Sequence, residues 1–246
     1  MAVAALSAAV VLAWRLIQPG AELTTAEQLT IVRIDPAQAR LTVALASEQN
    51  VAPRTAGAWC RAAHLSIAMN LGMFQNDGRS NVGYLRHGAH VNNGRWNDYG
   101  AVLAFNATKA IWLDRDRSDL AKQTAGYDVV VQNLRLITTD RRNVWSANGR
   151  RWSEAAVAID GKGRLLFLFS RAPWSMRDFN ARLLQLPLDI AGAMHVEGGP
   201  EASLSVHGGG VDLDLAGSYE TGFFESDDNH RQWPIPNVIG VVTAAK

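Results

Sequence analysis

Ala155-Ala156-Val157-Ala158-Ile159 and Leu165-Leu166-Phe167-Leu168-Phe169 stand on either side of Asp160-Gly161-Lys162-Gly163-Arg164. Two apolar runs of strand length, joined by a short polar segment with two glycines, read as a β-hairpin whose work is in the core. Directly after it, Ser175 with Asp178 three residues on gives a capping-box analogue. Met176, Phe179, Leu183 and Leu186 then recur at helical spacing until Pro187 ends the helix. That apolar stripe packs the helix onto a sheet.

Other segments repeat the pattern of short strands. Val129-Val130-Val131, within 127–137, is a continuous apolar run suited to burial on both faces. Val82-Gly83-Tyr84-Leu85, Ala101-Val102-Leu103-Ala104-Phe105 and Ile111-Trp112-Leu113 are short strands punctuated by Asn, Gly and Asp turns. The runs 29–34 and 41–45 flank Asp35-Pro36 and read as a hairpin or meander, and 56–63 reads as a short helix feeding a strand that begins at Leu65. Gly208-Gly209-Gly210 reads as a loose hairpin turn, and the tail from Gly222 to Ile239 as a loop returning to a last strand. Many short strands with few helices give an α+β fold: a single domain with a largely antiparallel or mixed β-sheet and a few helices packed on it.

At 246 residues and 48% hydrophobic content, the chain can bury most of its unfolded surface in one core. A net charge of +1 supplies no whole-molecule field toward nucleic acid or an anionic membrane, so no nucleic-acid partner is expected. The uncharged stretch Ala2 to Ala13 is too short to span a bilayer and has the length of a secretory apolar region, although no Lys or Arg precedes it. Residues 1–13 are therefore read as a signal-like segment, 14–246 as the domain, and the mature protein as periplasmic or secreted, with no membrane span. Cys60 is the only cysteine, which excludes an intrachain disulfide and a thiolate metal cluster; its apolar neighbours mark a buried thiol.

Two apolar runs end on polar, glycine-containing turns: 65–74, through Asn70-Leu71-Gly72-Met73-Phe74, and 193–200, through Glu197-Gly198-Gly199-Pro200. Strand ends of this kind hold one polar side chain at a sheet rim while glycine lets backbone approach a ligand, though they also serve as ordinary turns. The sequence has no GxGxxG between strand and helix, no GxxxxGK[ST], no HExxH and no GxSxG. Its six histidines are dispersed, so neither a metal nor a cofactor is expected. Carboxylates, amides, arginines and aromatics in loops suit sugar chemistry. A glycosidic bond needs a carboxylate beside an oxocarbenium-like transition state and commonly a second group to protonate the departing oxygen. Glu197 is the first candidate, with Asp98 or the turn residue Asp77 as partner. Arginines such as Arg79, Arg86 and Arg135 could fork onto a phosphate leaving group.

The order of these cassettes resembles the phosphodiester glycosidases. The resemblance rests on Asn70-Leu71-Gly72-Met73-Phe74, on Val82-Gly83-Tyr84 with Gly88, on Val131-Gln132-Asn133-Leu134-Arg135-Leu136-Ile137, on the hairpin, on Glu197-Gly198-Gly199 and on Pro236-Asn237-Val238. It implies an exported hydrolase cleaving a glycosidic bond at or near a sugar phosphate in an envelope or extracellular glycan. In that reading the catalytic residues are Glu197, Asn70 and Asp98. Gly72, Phe74, Arg86, Gln132, Arg135, Gly198, Gly199 and Asn237 hold the substrate, and Trp96 or Tyr99 could also stack on a sugar. The alternative is a non-catalytic glycan-binding module on the same fold. Two positions depart from the family pattern: Glu197 stands where the family usually has Asp, and Glu154, before the hairpin, where it commonly has Arg.

Overall fold

The hairpin is the axis of the largest sheet in the structure, a computed structural model that describes residues 10–147 and 149–244. Most of the signal-like segment, 1–9, lies outside the described residues. In chain order the elements are β1 (Arg15–Gln18), β2 (Ala21–Ala26), β3 (Leu29–Ile34), β4 (Leu41–Leu45), α1 (Ala46–Gln49), α2 (Ala56–Ala63), β5 (Leu65–Asn70), β6 (Leu85–His87), β7 (His90–Asn93), β8 (Ala101–Phe105) and β9 (Ala110–Asp114). There follow α3 (Leu120–Thr124), β10 (Val129–Asn133), β11 (Arg135–Ile137), β12 (Trp152–Asp160), β13 (Leu165–Trp174), α4 (Met176–Gln185), β14 (Ile190–Gly198), β15 (Ser203–Gly208), β16 (Val211–Ala216) and β17 (Asn237–Val242).

Three sheets form. One has seven strands in the order β1-β2-β3-β13-β12-β14-β11, and two have five, β7-β6-β10-β8-β9 and β16-β15-β5-β17-β4. Each pairing between these strands is antiparallel, which makes the fold α+β. Strand alternation explains the layering. Ala155, Val157, Ile159, Leu165, Phe167 and Phe169 point into a central core shared by all three sheets, while Ala156, Ala158, Leu166 and Leu168 point outward against α4. α4 begins where Ser175 accepts from the Asp178 N–H at 3.2 Å, and its Met176, Phe179 and Leu183 cover the outer face. α2, capped by Thr55, lays Trp59 and Cys60 over the outer face of the third sheet. Burial pushes the Cys60 thiol up to about 12, so it stays protonated. No helix among the described residues is long and apolar enough to cross a membrane.

Three local expectations change. β3 and β4 do not form a hairpin or meander: β3 lies between β2 and β13, whereas β4 pairs with β17 in another sheet. The Asp35 carboxylate accepts from the Ala37 N–H and the Gln38 amide, fixing a turn that redirects the chain from one sheet to the other. Residues 82–84 are not strand, because side chains take the backbone groups a ladder would use. Asn81 donates to the Gly83 carbonyl and Gln132 accepts from the Tyr84 N–H. The segment 127–137 breaks at Leu134 into β10 and β11, which belong to different sheets; within β10, Val129 and Val131 face the central core and Val130 the opposite side.

Candidate active site

β14 carries the site. Its register against β12 shifts between Ala155, opposite Glu197, and Ala156, opposite His195, so Val196 is an extra residue and the strand bulges. Met194 and Val196 remain in the central core, while His195 and Glu197, two residues apart, both line a cavity of about 270 Å³ beside Trp145, Trp152 and Leu134. A second cavity of about 430 Å³ is bounded by Phe74, Gln75, Asn76, Glu201 and Phe223. The two adjoin: Met73, Glu197 and Glu220 line both.

Glu197 is 6% exposed. One carboxyl oxygen accepts from the N–H of Gly198 at 3.1 Å, and the other makes no hydrogen bond to the described residues. Burial above all, then the charge of Glu201, holds this carboxyl well above the usual carboxylate range; the Gly198 N–H opposes the shift, and Glu220 and Glu154 add to it. Glu201 follows on the 3-10 turn Gly199–Glu201, and burial with the Glu220 charge raises it as well. Below this layer Glu154 is wholly buried. His195 Nδ1 lies 2.8 Å from its Oε1, and Trp152 Nε1 donates to its Oε2 at 2.6 Å. Burial raises the Glu154 carboxyl against the opposing pull of His195. Glu154 thus fixes two side chains that face the cavity, and His195 presents its Nε2 edge away from the pair. Trp145 meets Trp152 edge-on at 6.1 Å and is tethered by its Nε1 to the Arg135 carbonyl.

The expected site residues divide into two groups. Phe74, Gly198 and Glu197 line the cavities. Asn70 sits just behind them: its Nδ2 donates to the Glu201 carbonyl at 3.1 Å and its Oδ1 accepts from the Ser203 N–H at 2.7 Å, so its amide clamps the turn that carries Glu201. Gly199 adopts φ 60° in that turn, with Glu220 packed against its α-carbon. Gly72 lies against the buried Asn81 and Asn133 side chains, which leave no room for a side chain of its own.

The remaining candidates line neither cavity. Gln132 is fully buried and bonds the backbone of Tyr84, Asn97 and Tyr99. Arg135 pairs with Asp116 and Asp114, and Arg86 bonds the carbonyls of Gly88 and Tyr127. Asn237 donates to the Arg79 carbonyl. Asp98 is exposed in the bend before Tyr99, and Asp77 caps its own turn by accepting from Arg79 and Ser80. Trp96 stacks on Tyr84 at 4.2 Å.

Several cavity residues carried no signal in the sequence. Glu220 and Trp145 lie in irregular segments and reach the cavity through tertiary folding alone. His195 was legible in principle, since it shares strand period with Glu197. Arg150 lines the smaller cavity 3.8 Å from Glu220. Among the described residues, no three of His, Cys, Asp and Glu gather closely enough to hold a metal ion.

Residues 63–242 match the family model described as phosphodiester glycosidase. A search of curated proteins found no match. Among solved structures, the chain is similar to the catalytic domain of zebrafish N-acetylglucosamine-1-phosphodiester alpha-N-acetylglucosaminidase, auto-inhibited by its pro-peptide, at 13% identity and TM-score 0.64, covering 97% of this chain and 85% of that one. It is also similar to a hypothetical protein from Synechocystis at 16% identity and TM-score 0.58, covering 94% of this chain and 61% of that longer one. A Burkholderia pseudomallei protein provisionally described as exported matches at 11% identity and TM-score 0.50, covering 91% and 74%. At these identities the likeness is one of fold.

Proposed function

The chain belongs to the phosphodiester glycosidase family, and from that premise we propose that it is a hydrolase that breaks a glycosidic bond, with Glu197 as the acid. The observation that carries this reading is the position of Glu197: a buried carboxyl held above its ordinary range, at the junction of two adjoining cavities. A sugar in one cavity and its leaving group in the other would place the bond between them at Glu197. A carboxyl kept protonated by burial is the form a general acid requires.

In this scheme Glu197 gives its proton to the departing oxygen while the C1–O bond breaks and its electron pair stays with that oxygen. The positive charge left on C1 and the ring oxygen faces Glu201 and Glu220. Water then adds to C1 and its proton returns to Glu197. Asn70 acts as a positioning residue by fixing the Glu201 turn, and Phe74 offers a ring for stacking on sugar. A phosphate on the departing oxygen would meet the guanidinium of Arg150. The uncharged 2–13 stretch and the provisionally exported structural relative support a substrate in the envelope or outside the cell.

The test is turnover of aryl glycosides and of a sugar-1-phosphodiester by the full chain, with Glu197→Gln alongside. The expected result is a loss of about 10²–10⁴ in kcat with substrate binding retained. Oligosaccharide binding without any turnover in the wild-type protein would instead establish the non-catalytic module.

A further inference from the structure

Glu154 and His195 are two buried titratable groups at the smaller cavity that the hydrolytic scheme leaves unused. His195 is 5% exposed and Glu154 is wholly buried, a setting in which polar atoms are normally paired. His195 Nδ1 lies 2.8 Å and 2.9 Å from the two oxygens of Glu154, the placement of one N–H shared by a carboxylate. Trp152 Nε1, which can only donate, takes a further lone pair of the same carboxylate at 2.6 Å. This partner set assigns the imidazole proton to Nδ1 and leaves the lone pair on Nε2. Nε2 makes no hydrogen bond to the described residues, and the ring lines the cavity of about 270 Å³ together with Glu197. The other charged groups on that cavity are Arg150 and Glu220. A ring fixed at one nitrogen by a buried carboxylate, with the other nitrogen open beside an acid, is the arrangement of a general base.

We infer that His195 is the base of the hydrolysis: its Nε2 takes the proton of the water that adds to C1, and Glu154 is the residue that positions it. This inference rests on the hydrolase reading for the reaction itself. By this point Glu197 has given its proton to the departing oxygen, which keeps the electron pair of the broken C1–O bond. The water oxygen bonds to C1, and the water's proton passes to Nε2. The imidazolium so formed has the Glu154 carboxylate at Nδ1 and the ionised Glu197 two residues along the same strand, and both stabilise its charge. Its proton then moves on to Glu197, which leaves both groups as they began.

The experiment has a spectroscopic and a kinetic arm, both on the full chain. Long-range proton–nitrogen correlation NMR of histidine-labelled protein, with His195→Gln to assign the signal, is expected to show the Nδ1–H form with a bare Nε2 at the pH of the assay. Glu154→Gln sets an amide against Nδ1; it is expected to move the proton to Nε2 and to lower kcat by about 10²–10⁴ with little change in KM. His195→Ala is expected to lose kcat on the same scale toward a dinitrophenyl glycoside. Sodium azide, a nucleophile that needs no deprotonation, should restore part of that turnover and yield the glycosyl azide, which a merely structural histidine would not allow. Thermal unfolding midpoints show which variants are folded, and where one is not, the wild-type tautomer decides. An Nε2–H signal in the wild-type protein, unchanged turnover in a folded His195→Ala, or a loss that azide does not relieve overturns the inference. Turnover by the wild-type protein that Glu197→Gln removes then leaves the hydrolase reading intact. A wild-type protein that turns over none of the glycosides rejects the hydrolase reading and this inference together.

Discussion

His195 Nδ1 sits within hydrogen-bond reach of both carboxyl oxygens of Glu154, at 2.8 Å and 2.9 Å, in a layer where the glutamate has no exposure to solvent. The same carboxyl accepts from Trp152, so one buried acid orders two of the side chains lining the smaller cavity. Glu154→Ala leaves Trp152 Nε1 and His195 Nδ1 without this partner and should cost about 3–5 kcal/mol, the usual loss when one member of a buried pair is removed. Glu154→Gln keeps an acceptor for Trp152 and should cost less. Urea unfolding of the two variants checks this ranking, and equal losses would contradict it.

Because Glu197 is held above its ordinary value of 4.5 by burial first and by Glu201 next, the folded state keeps a proton that the unfolded chain releases. The stability from this difference is fully present below the unfolded value and is lost as pH rises through the folded one. Glu201 and Glu154 are shifted the same way. Thermal midpoints should therefore fall from mildly acidic toward neutral pH, and Glu197→Gln should flatten that slope and raise the midpoint at neutral pH. Melting curves across the pH series decide it; parallel slopes for the two proteins would rule the assignment out.

Asn70 links the end of β5 to the Glu201 turn through two bonds to backbone. Asn70→Ala should cost about 1–3 kcal/mol, since it strands a buried N–H and a carbonyl. It should also lower turnover by loosening Glu201. Asn70→Asp keeps the acceptor for Ser203 but loses the donor to Glu201, and should be intermediate in denaturant unfolding.

Gly199 holds a left-handed conformation, and a β-carbon there would come within 2.6 Å of a Glu220 carboxyl oxygen. Gly199→Ala should cost about 1–2 kcal/mol for the backbone conformation alone. It should also displace Glu220 and reduce turnover beyond the effect on stability. Chemical denaturation and steady-state kinetics on the same preparation separate the two losses.

The parts of the fold that could be read from the sequence are those set by local periodicity. The β12–β13 hairpin and α4 announce themselves through alternation, turn residues and a cap, and the structure forms them there. The exchange of sheets at Asp35-Pro36 could not be read, because an apolar strand's sequence does not name its partner. The site follows the same division. Glu197 was visible as a polar strand end before glycine. Asn70 was visible for the same reason, but its attachment to the backbone of a turn more than a hundred residues away was not. Glu220 and Trp145 have no periodic context, and only the folded chain brings them to Glu197. Arg86, Arg135 and Gln132 stood out by residue type, yet each bonds to other parts of the protein and lines neither cavity.

Among the described strands β4 pairs with β17 alone, and β17 also completes β5 on its other side. The third sheet therefore joins strands from nearly opposite ends of the sequence. A ribosome-bound chain that has made the first two hundred residues still has β4 unpaired and both edges of β5 open, because β15 and β17 are yet to be made. Completion of that sheet, and with it a settled floor beneath Asn70, must wait for synthesis of the strand at 237–242. Until then the nascent polypeptide exposes strand edges, so a holding chaperone should associate with it and delayed compaction should precede acquisition of protease resistance.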